Sequence, residues 1–175
     1  MRSDPEGITD VRSRLAKAGL SDMRRPRQTD TYYRVSKGRL KLRRIEELTG
    51  NSLNSDGGRS AELIGYNRPL ESGSRWSRYV VAEVEIDAAD RLHEALALTH
   101  DVVITVHKVR EIVIWAVTRI HLDVVDGLGA FIELETVVTV QDDATAAAEH
   151  RMVIERLELD RWPTVAGSYS DLAAG

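Results

Sequence analysis

Charged side chains recur at every second position in several segments of this sequence. In the clearest case, Arg39, Lys41 and Arg43 alternate with two leucines. Residues two apart on a β-strand share a face, so a strand here would present its positive charges together and its leucines on the opposite face. The same spacing recurs later in the chain, at Lys108 and Arg110, at Arg119, His121 and Asp123, and at Glu133 and Glu135.

These charged faces are compatible with two arrangements. In a half-exposed sheet the charges would simply be solvated, whereas in a closed barrel they would line an interior. Enclosed ions are too costly to bury unless they are paired or bind a ligand. The spacing alone leaves both arrangements open, and the enclosed one predicts a ligand.

Enclosed rows of both signs would suit a metal-bound polyphosphate. Arg and Lys side chains hold phosphate oxygens, Arg as a bidentate fork and Lys as a point charge. Asp123, Glu133 and Glu135 could hold Mg²⁺ or Mn²⁺ through hard oxygen ligands, with phosphate oxygens completing the shell. We interpret His121 as a hydrogen-bonded structural residue, because a lone strand histidine is more often that than a ligand.

The elements that must position these residues can be predicted from periodicity. Apolar residues at helical spacing predict a helix over 6–18, and Asp87 and either Asp142 or Asp143 are suited to cap helices reaching Leu98 and Leu159. Alternating and β-branched segments predict antiparallel strands, with a hairpin that turns at Gly38. The predicted strands cover 31–45, with the break at Gly38, and 61–68, 79–86, 102–109, 112–122 and 131–140. The fold class is therefore α+β.

Composition limits the classes of protein that remain. A chain of 175 residues with 42% hydrophobic content is long enough for one domain, which we place over residues 1–175. The net charge of -4 argues against a protein that coats nucleic acid. Cysteine is absent, and no leader or long uncharged apolar segment indicates export or a membrane partner, so we expect a cytoplasmic protein.

An ordered set of motifs resembles one known family. The set includes QTDTYY at 28–33, GRLKLR at 38–43, AELI at 61–64, TRIHLD at 118–123, ELE at 133–135 and SYSDL at 168–172. In this order they are similar to the CYTH proteins, the superfamily of class IV adenylyl cyclases and thiamine triphosphatases, and most similar to the cyclase branch.

The resemblance implies an eight-stranded antiparallel barrel, the triphosphate tunnel, with helices outside and a divalent metal inside. Carried over position by position, it implies phosphate contacts for Lys41, Arg43, Arg68, Arg75, Lys108, Arg110 and Arg119. It implies metal-side roles for Asp123, Glu133 and Glu135.

One departure from the family pattern concerns the first strand. Family members usually begin with a strand bearing Glu-x-Glu-x-Lys, and here residues 1–7 lead directly into the predicted helix. The barrel would then lack its first strand, either because the chain starts late, which we favour, or because the barrel is open. Strand edges left exposed in this way could pair with a second copy of the chain and form a homodimer.

The resemblance also implies an activity on a small-molecule triphosphate. The first hypothesis is the class IV cyclase reaction, which converts ATP to cyclic AMP and pyrophosphate. The second is hydrolysis of thiamine triphosphate, inorganic triphosphate or a nucleotide at its terminal phosphorus. The third is polyphosphate binding without turnover, which the absent first strand would favour.

Overall fold

The chain folds as an α+β protein in which runs of consecutive strands are separated by single helices. The computed structural model describes residues 1–48, 58–67, 77–138 and 142–174. Within those ranges the strands are β1 (Arg2–Ser3), β2 (Pro26–Tyr33), β3 (Arg39–Glu47), β4 (Arg59–Asn67), β5 (Arg78–Val84), β6 (Val102–Trp115), β7 (Thr118–Val125) and β8 (Gly129–Thr136). The α-helices are α1 (Pro5–Lys17), α2 (Ala89–Thr99), α3 (Asp143–Leu157) and α4 (Tyr169–Ala174), with short 3-10 turns at Ile86–Ala88 and Leu159–Arg161.

The eight strands form one antiparallel sheet that curls strongly. Its order is β1-β8-β7-β6-β2-β3-β4-β5, so β5 and β1 are the two ends. Although β7, β6, β2, β3 and β4 lie between β8 and β5, the Tyr79 hydroxyl on β5 interacts with Glu135 on β8 and Arg119 on β7. The curl therefore brings the two ends of the sheet towards each other around its inner face.

Helices α1 and α3 cover the outer face of β6, β7 and β8. Asp4 caps α1 by accepting a hydrogen bond from the Gly7 amide at 2.7 Å, and Asp142 caps α3 in the same way through the Thr145 amide at 2.7 Å. The helices and strands enclose an apolar core of Ile8, Val11, Leu15, Val113, Ile120, Leu122, Ala130, Ile132, Val153, Leu157 and Leu159. This packing fixes which alternate residues of each strand face inwards.

The hairpin at Gly38 is confirmed, and its geometry requires glycine. Gly38 has φ +70°, and a Cβ there would lie 2.8 Å from the Tyr66 carbonyl oxygen. The turn pairs β2 with β3 so that Asp30 lies opposite Arg43 and Tyr32 opposite Lys41. One tight turn thus sets the register of the charges on both strands.

Three local predictions were wrong. The predicted break after Val109 does not exist, because β6 runs as one strand from Val102 to Trp115 and the chain reverses at Ala116, where φ is 51°. Asp87 lies inside a 3-10 turn, so helix α2 begins after Ala88 without a side-chain cap. Before α1, residues Arg2–Ser3 pair with β8 as a short strand instead of leading directly into the helix.

Helix length and polarity also bear on the membrane prediction. None of the helices in the described ranges is long and apolar enough to cross a bilayer.

Candidate functional site

A fully buried carboxylate, Asp30, lies at the centre of three positive side chains on the inner face. Its oxygens accept hydrogen bonds from Lys41 Nζ at 3.0 Å and from Lys108 Nζ at 2.7 Å. Arg43 adds a bidentate pair at 2.7 and 3.0 Å. Strands β2, β3 and β6 are neighbours in the sheet and supply these four residues, so three cations share one buried carboxylate. Glu62 on β4 lies 4.0 Å from Arg43 Nη1, and counting it still leaves positive charge in excess.

Burial and charge act against each other in this cluster. Burial alone would raise the pKa of Asp30, but Lys41, Lys108 and Arg43 outweigh it and hold that pKa well below its usual value. Burial lowers the pKa of Lys41 to about 7, since the attraction of Asp30 only partly offsets it. The pKa of Lys108 is lowered for the same reason. An additional anion would stabilise the charged form of both lysines.

A second cluster on β6, β7 and β8 carries more negative charge than positive. Arg110 donates to the Asp123 carboxylate at 2.7 and 2.5 Å and to Glu133 Oε2 at 2.8 Å. Burial would lower the pKa of Arg110, but the two carboxylates outweigh it and raise that pKa well above its usual value. Two carboxylates for one guanidinium give this side of the inner face the opposite polarity to the Asp30 cluster.

His121 lies beside this second cluster as a buried, neutral side chain. Its Nδ1 is 3.6 Å from Glu133 Oε2, too far for a normal hydrogen bond. Burial, assisted by the nearby Arg110 charge, lowers the pKa of His121. His121 is buried as predicted for a structural residue, but its Nδ1 has no hydrogen-bond partner among the described residues, so the predicted hydrogen bonding is not confirmed at that atom.

The rim of the inner face holds the more accessible charges. Arg119 reaches Glu135 at 3.3 Å, with 46% and 31% of the two side chains exposed. Glu133 is similarly accessible, with 37% of its side chain exposed. Glu133 and Glu135 are alternate residues of β8 and lie on its inner face, so they form an accessible carboxylate pair.

The structure brings most of the predicted site residues onto one face. Lys41, Arg43 and Lys108 meet at Asp30, Arg110 joins Asp123 and Glu133, and Arg119 pairs with Glu135. Arg68 and Arg75 lie outside the described residues, so their phosphate roles stay predictions.

The predicted metal role of Asp123 fits its environment poorly. Asp123 has no exposed surface, and its two oxygens already accept hydrogen bonds from Arg110 and from the Tyr169 hydroxyl. The Arg110 charge outweighs burial and holds the pKa of Asp123 below its usual value, so it is an ion paired inside the protein. In this geometry Asp123 pairs with Arg110 and orients its guanidinium.

Glu133 and Glu135 fit a metal that arrives with phosphate oxygens. No group of three or more His, Asp and Glu side chains in the described ranges is arranged to hold an ion unaided. Mg²⁺ is usually bound through one or two carboxylates together with substrate phosphates, so a pair of accessible glutamates is a suitable donor set.

Two residues at the site were not among the predicted ligands. Asp30 is the one charged residue of the QTDTYY segment at 28–33, and that was the available signal of a buried charge. Tyr169 stands far away in sequence, and only the fold brings its hydroxyl to Asp123 at 2.7 Å.

The family comparison agrees with this arrangement. The model of the CYTH domain matches residues 3–169, so the chain belongs to the CYTH domain family, the family of triphosphate tunnel proteins. Proteins of this family are generally metal-dependent.

Solved structures share the fold at low sequence identity. The PH1819 protein from Pyrococcus horikoshii OT3 superposes with a TM-score of 0.72 at 22% identity, covering 94% of this chain and 92% of that one. The PH1012 protein from the same organism gives a TM-score of 0.71 at 18% identity, covering 94% and 93%. A Vibrio parahaemolyticus protein named as a "putative adenylate cyclase" gives a TM-score of 0.63 at 16% identity, covering 99% and 94%. A search of curated proteins found no match.

Proposed function

We propose that the inner face of the curled sheet binds a small-molecule triphosphate as its Mg²⁺ or Mn²⁺ complex and converts it in the manner of class IV adenylyl cyclases. The substrate would be ATP and the products cyclic AMP and pyrophosphate. The observation that carries the proposal is the Asp30 cluster, in which three buried cations share one carboxylate. Such an excess of enclosed positive charge is costly unless a polyanion binds to it.

The two clusters divide the work of binding. Lys41, Arg43 and Lys108 would hold phosphate oxygens on the cation-rich side. Glu133 and Glu135 would hold the metal on the carboxylate-rich side, where it would neutralise negative charge on the phosphoryl oxygens. The polarity of the inner face thus gives a metal-triphosphate complex a preferred direction.

Catalysis by this arrangement would depend on positioning and charge stabilisation. In the cyclase reaction the ribose 3′-hydroxyl attacks the α-phosphorus and pyrophosphate leaves. The charge that develops on the leaving pyrophosphate would be stabilised by the buried lysines and Arg43. The resemblance of the motif set to the cyclase branch, and the shared fold of the Vibrio protein, support this choice of reaction.

Product analysis tests the reaction. Purified protein is incubated with ATP and Mg²⁺ or Mn²⁺, and cyclic AMP, pyrophosphate and orthophosphate are quantified. Cyclic AMP with equimolar pyrophosphate supports the cyclase, whereas orthophosphate without cyclic AMP would replace it with the triphosphatase reaction. A Lys108→Gln variant should lose activity, and Lys37→Gln, at an exposed lysine in the hairpin loop, should keep it.

Binding without turnover is a second candidate, and one observation favours it. Strand β1 consists only of Arg2–Ser3, so it brings none of the carboxylates that the family's Glu-x-Glu-x-Lys strand supplies. Titration calorimetry with inorganic tripolyphosphate and Mg²⁺ separates the candidates. Tight binding with no product from ATP or tripolyphosphate would identify a polyphosphate-binding module.

A further inference from the structure

The SYSDL motif at 168–172 lies against the inner face of the sheet, next to both charged clusters. Tyr169 packs its ring on Phe131 of β8 with the ring centroids 5.0 Å apart. Lys108 Nζ lies 5.7 Å from the centroid of the same ring. Helix α4, which begins at Tyr169, therefore covers part of the inner face of the sheet.

The Tyr169 hydroxyl completes a chain of hydrogen bonds to Arg110. It donates to Asp123 Oδ2 at 2.7 Å, and the same carboxylate accepts from Arg110 Nε at 2.7 Å and Nη2 at 2.5 Å. Among the described hydrogen bonds, Arg110 uses only Nε and Nη2. Its Nη1 makes none of these described hydrogen bonds, and the paired contact with Asp123 sets the orientation of the whole guanidinium.

Arg39 fastens this segment to strand β3. Its guanidinium donates to Asp171 at 2.9 Å and to the hydroxyls of Ser168 and Ser170 at 3.3 and 3.4 Å. Asp171 also accepts from the Ser168 amide at 2.7 Å, which closes the turn that presents Tyr169. Arg39 is the first cation of the row that continues with Lys41 and Arg43, and these contacts turn it towards α4.

Resting on the proposed function, we propose that segment 168–172 is part of the triphosphate site. Tyr169 is a positioning residue that orients Arg110 through Asp123, and Arg39 latches the segment in place. Without the phenol hydroxyl, Asp123 loses one of its hydrogen bonds in a site closed to water, and the paired guanidinium is less firmly oriented. A ligand would then have to order that guanidinium on binding, which weakens affinity.

The test compares two variants that each remove one hydrogen-bonded phenol hydroxyl. The Tyr33 side chain is 3% exposed, and its hydroxyl lies 2.8 Å from His93 Nδ1. Tyr33 is on the opposite face of the sheet from Tyr32 and its partner Lys41 on β3, so Tyr33→Phe is the matched control for Tyr169→Phe. Calorimetric titration with inorganic tripolyphosphate and Mg²⁺ should show about tenfold weaker binding for Tyr169→Phe, as expected for a lost hydrogen bond to a charged group. Tyr33→Phe should bind within about twofold of wild type at a comparable melting temperature.

An Arg39→Gln variant tests the latch while leaving Tyr169 in place. Its affinity for tripolyphosphate should fall by about threefold, since the segment is loosened and the hydroxyl is kept. If Tyr169→Phe binds like wild type, or if both tyrosine variants weaken binding equally, the positioning role is overturned and the proposed function stands. If wild type itself fails to bind tripolyphosphate, the proposed function is overturned together with this inference.

Discussion

Neighbouring residues of strand β7 face two different interiors. Ile120 and Leu122 pack against helices in the apolar core, while His121 and Asp123 face the charged inner surface of the curled sheet. All four are almost fully buried, so burial does not distinguish the two faces. The outer face stabilises the fold by removing apolar surface from water, and the inner face holds ions that are stable only because each is paired. The same strand therefore contributes to the apolar core on one side and to the charged inner face, the proposed binding site, on the other.

The largest effect is expected from removing the central carboxylate of the inner face. Asp30→Ala leaves Lys41, Arg43 and Lys108 without their shared partner, which should lower the free energy of unfolding by about 3–5 kcal/mol. Denaturant unfolding measures this loss. Added tripolyphosphate should raise the melting temperature of the variant more than that of wild type, because the ligand supplies the missing negative charge.

The control for Asp30→Ala is the exposed pair between Asp101 and Arg34. Their side chains are 78% and 69% exposed, so Asp101→Ala should change stability little. If the Asp30→Ala protein is as stable as wild type and gains no extra stabilisation from tripolyphosphate, the cluster is not an anion-binding site.

A substitution in the outer core should affect stability and leave binding alone. Leu157 on α3 is 1% exposed, and Leu157→Ala should lower the free energy of unfolding by about 2–5 kcal/mol through lost burial and a cavity. Its affinity for tripolyphosphate, measured by calorimetry well below the melting temperature, should equal that of wild type. Arg151→Ala, at an exposed position of the same helix, is the control for stability. Weakened binding in Leu157→Ala would mean that the two faces are coupled.

The carboxylates of β8 should affect the metal dependence of binding. Glu133→Gln or Glu135→Gln should reduce by about tenfold the increase in tripolyphosphate affinity that Mg²⁺ produces, because one charged oxygen ligand is lost. Titrations with and without Mg²⁺ measure that increase, and Glu94→Gln on the exposed side of α2 is the matched control. An unchanged Mg²⁺ effect in both glutamate variants would exclude them as metal ligands.

The smallest effect expected is a pH dependence of binding through Lys41. Its pKa is about 7 because it is buried, so it is protonated below that pH and increasingly neutral above it. A bound anion raises this pKa, so binding takes up a proton above pH 7, and affinity falls as pH rises from 7 to 9. Calorimetry at pH 6 and pH 8.5 should show the loss.

Lys41→Arg provides the comparison, because arginine stays charged throughout this range. Tripolyphosphate itself becomes more negative over the same pH range. The change in affinity with pH is therefore compared between wild type and Lys41→Arg, because the ligand contributes equally to both. Parallel profiles for the two proteins would show that Lys41 does not titrate during binding.

The alternation of charges predicted the inner face well, but one closing interaction could not be predicted. The spacing of Arg39, Lys41 and Arg43 correctly put them on one side of β3, and the hairpin at Gly38 followed from local turn chemistry. Arg39 nevertheless turns to α4 and its contacts with Asp171, which lies 132 residues away in sequence. No pattern within a strand specifies such a partner.

Errors in the local predictions have a related cause. The break expected after Val109 fell at Arg110 and Glu111, the two charged residues between β-branched segments. In the fold, Arg110 is paired with Asp123 and Glu111 with Arg12, so the strand continues through them. Tertiary partners thus keep both charges within the strand.

The α+β class, most of the strands and the face on which each charge lies could be predicted from the sequence, because side-chain direction follows from position along a strand. Three contacts of the inner face became visible in the fold alone: Asp30 with its three cations, Asp123 with Arg110, and Tyr169 with Asp123. These contacts cross strands and helices that are distant along the chain. They depend on how the sheet curls, which alternation within a single strand does not encode.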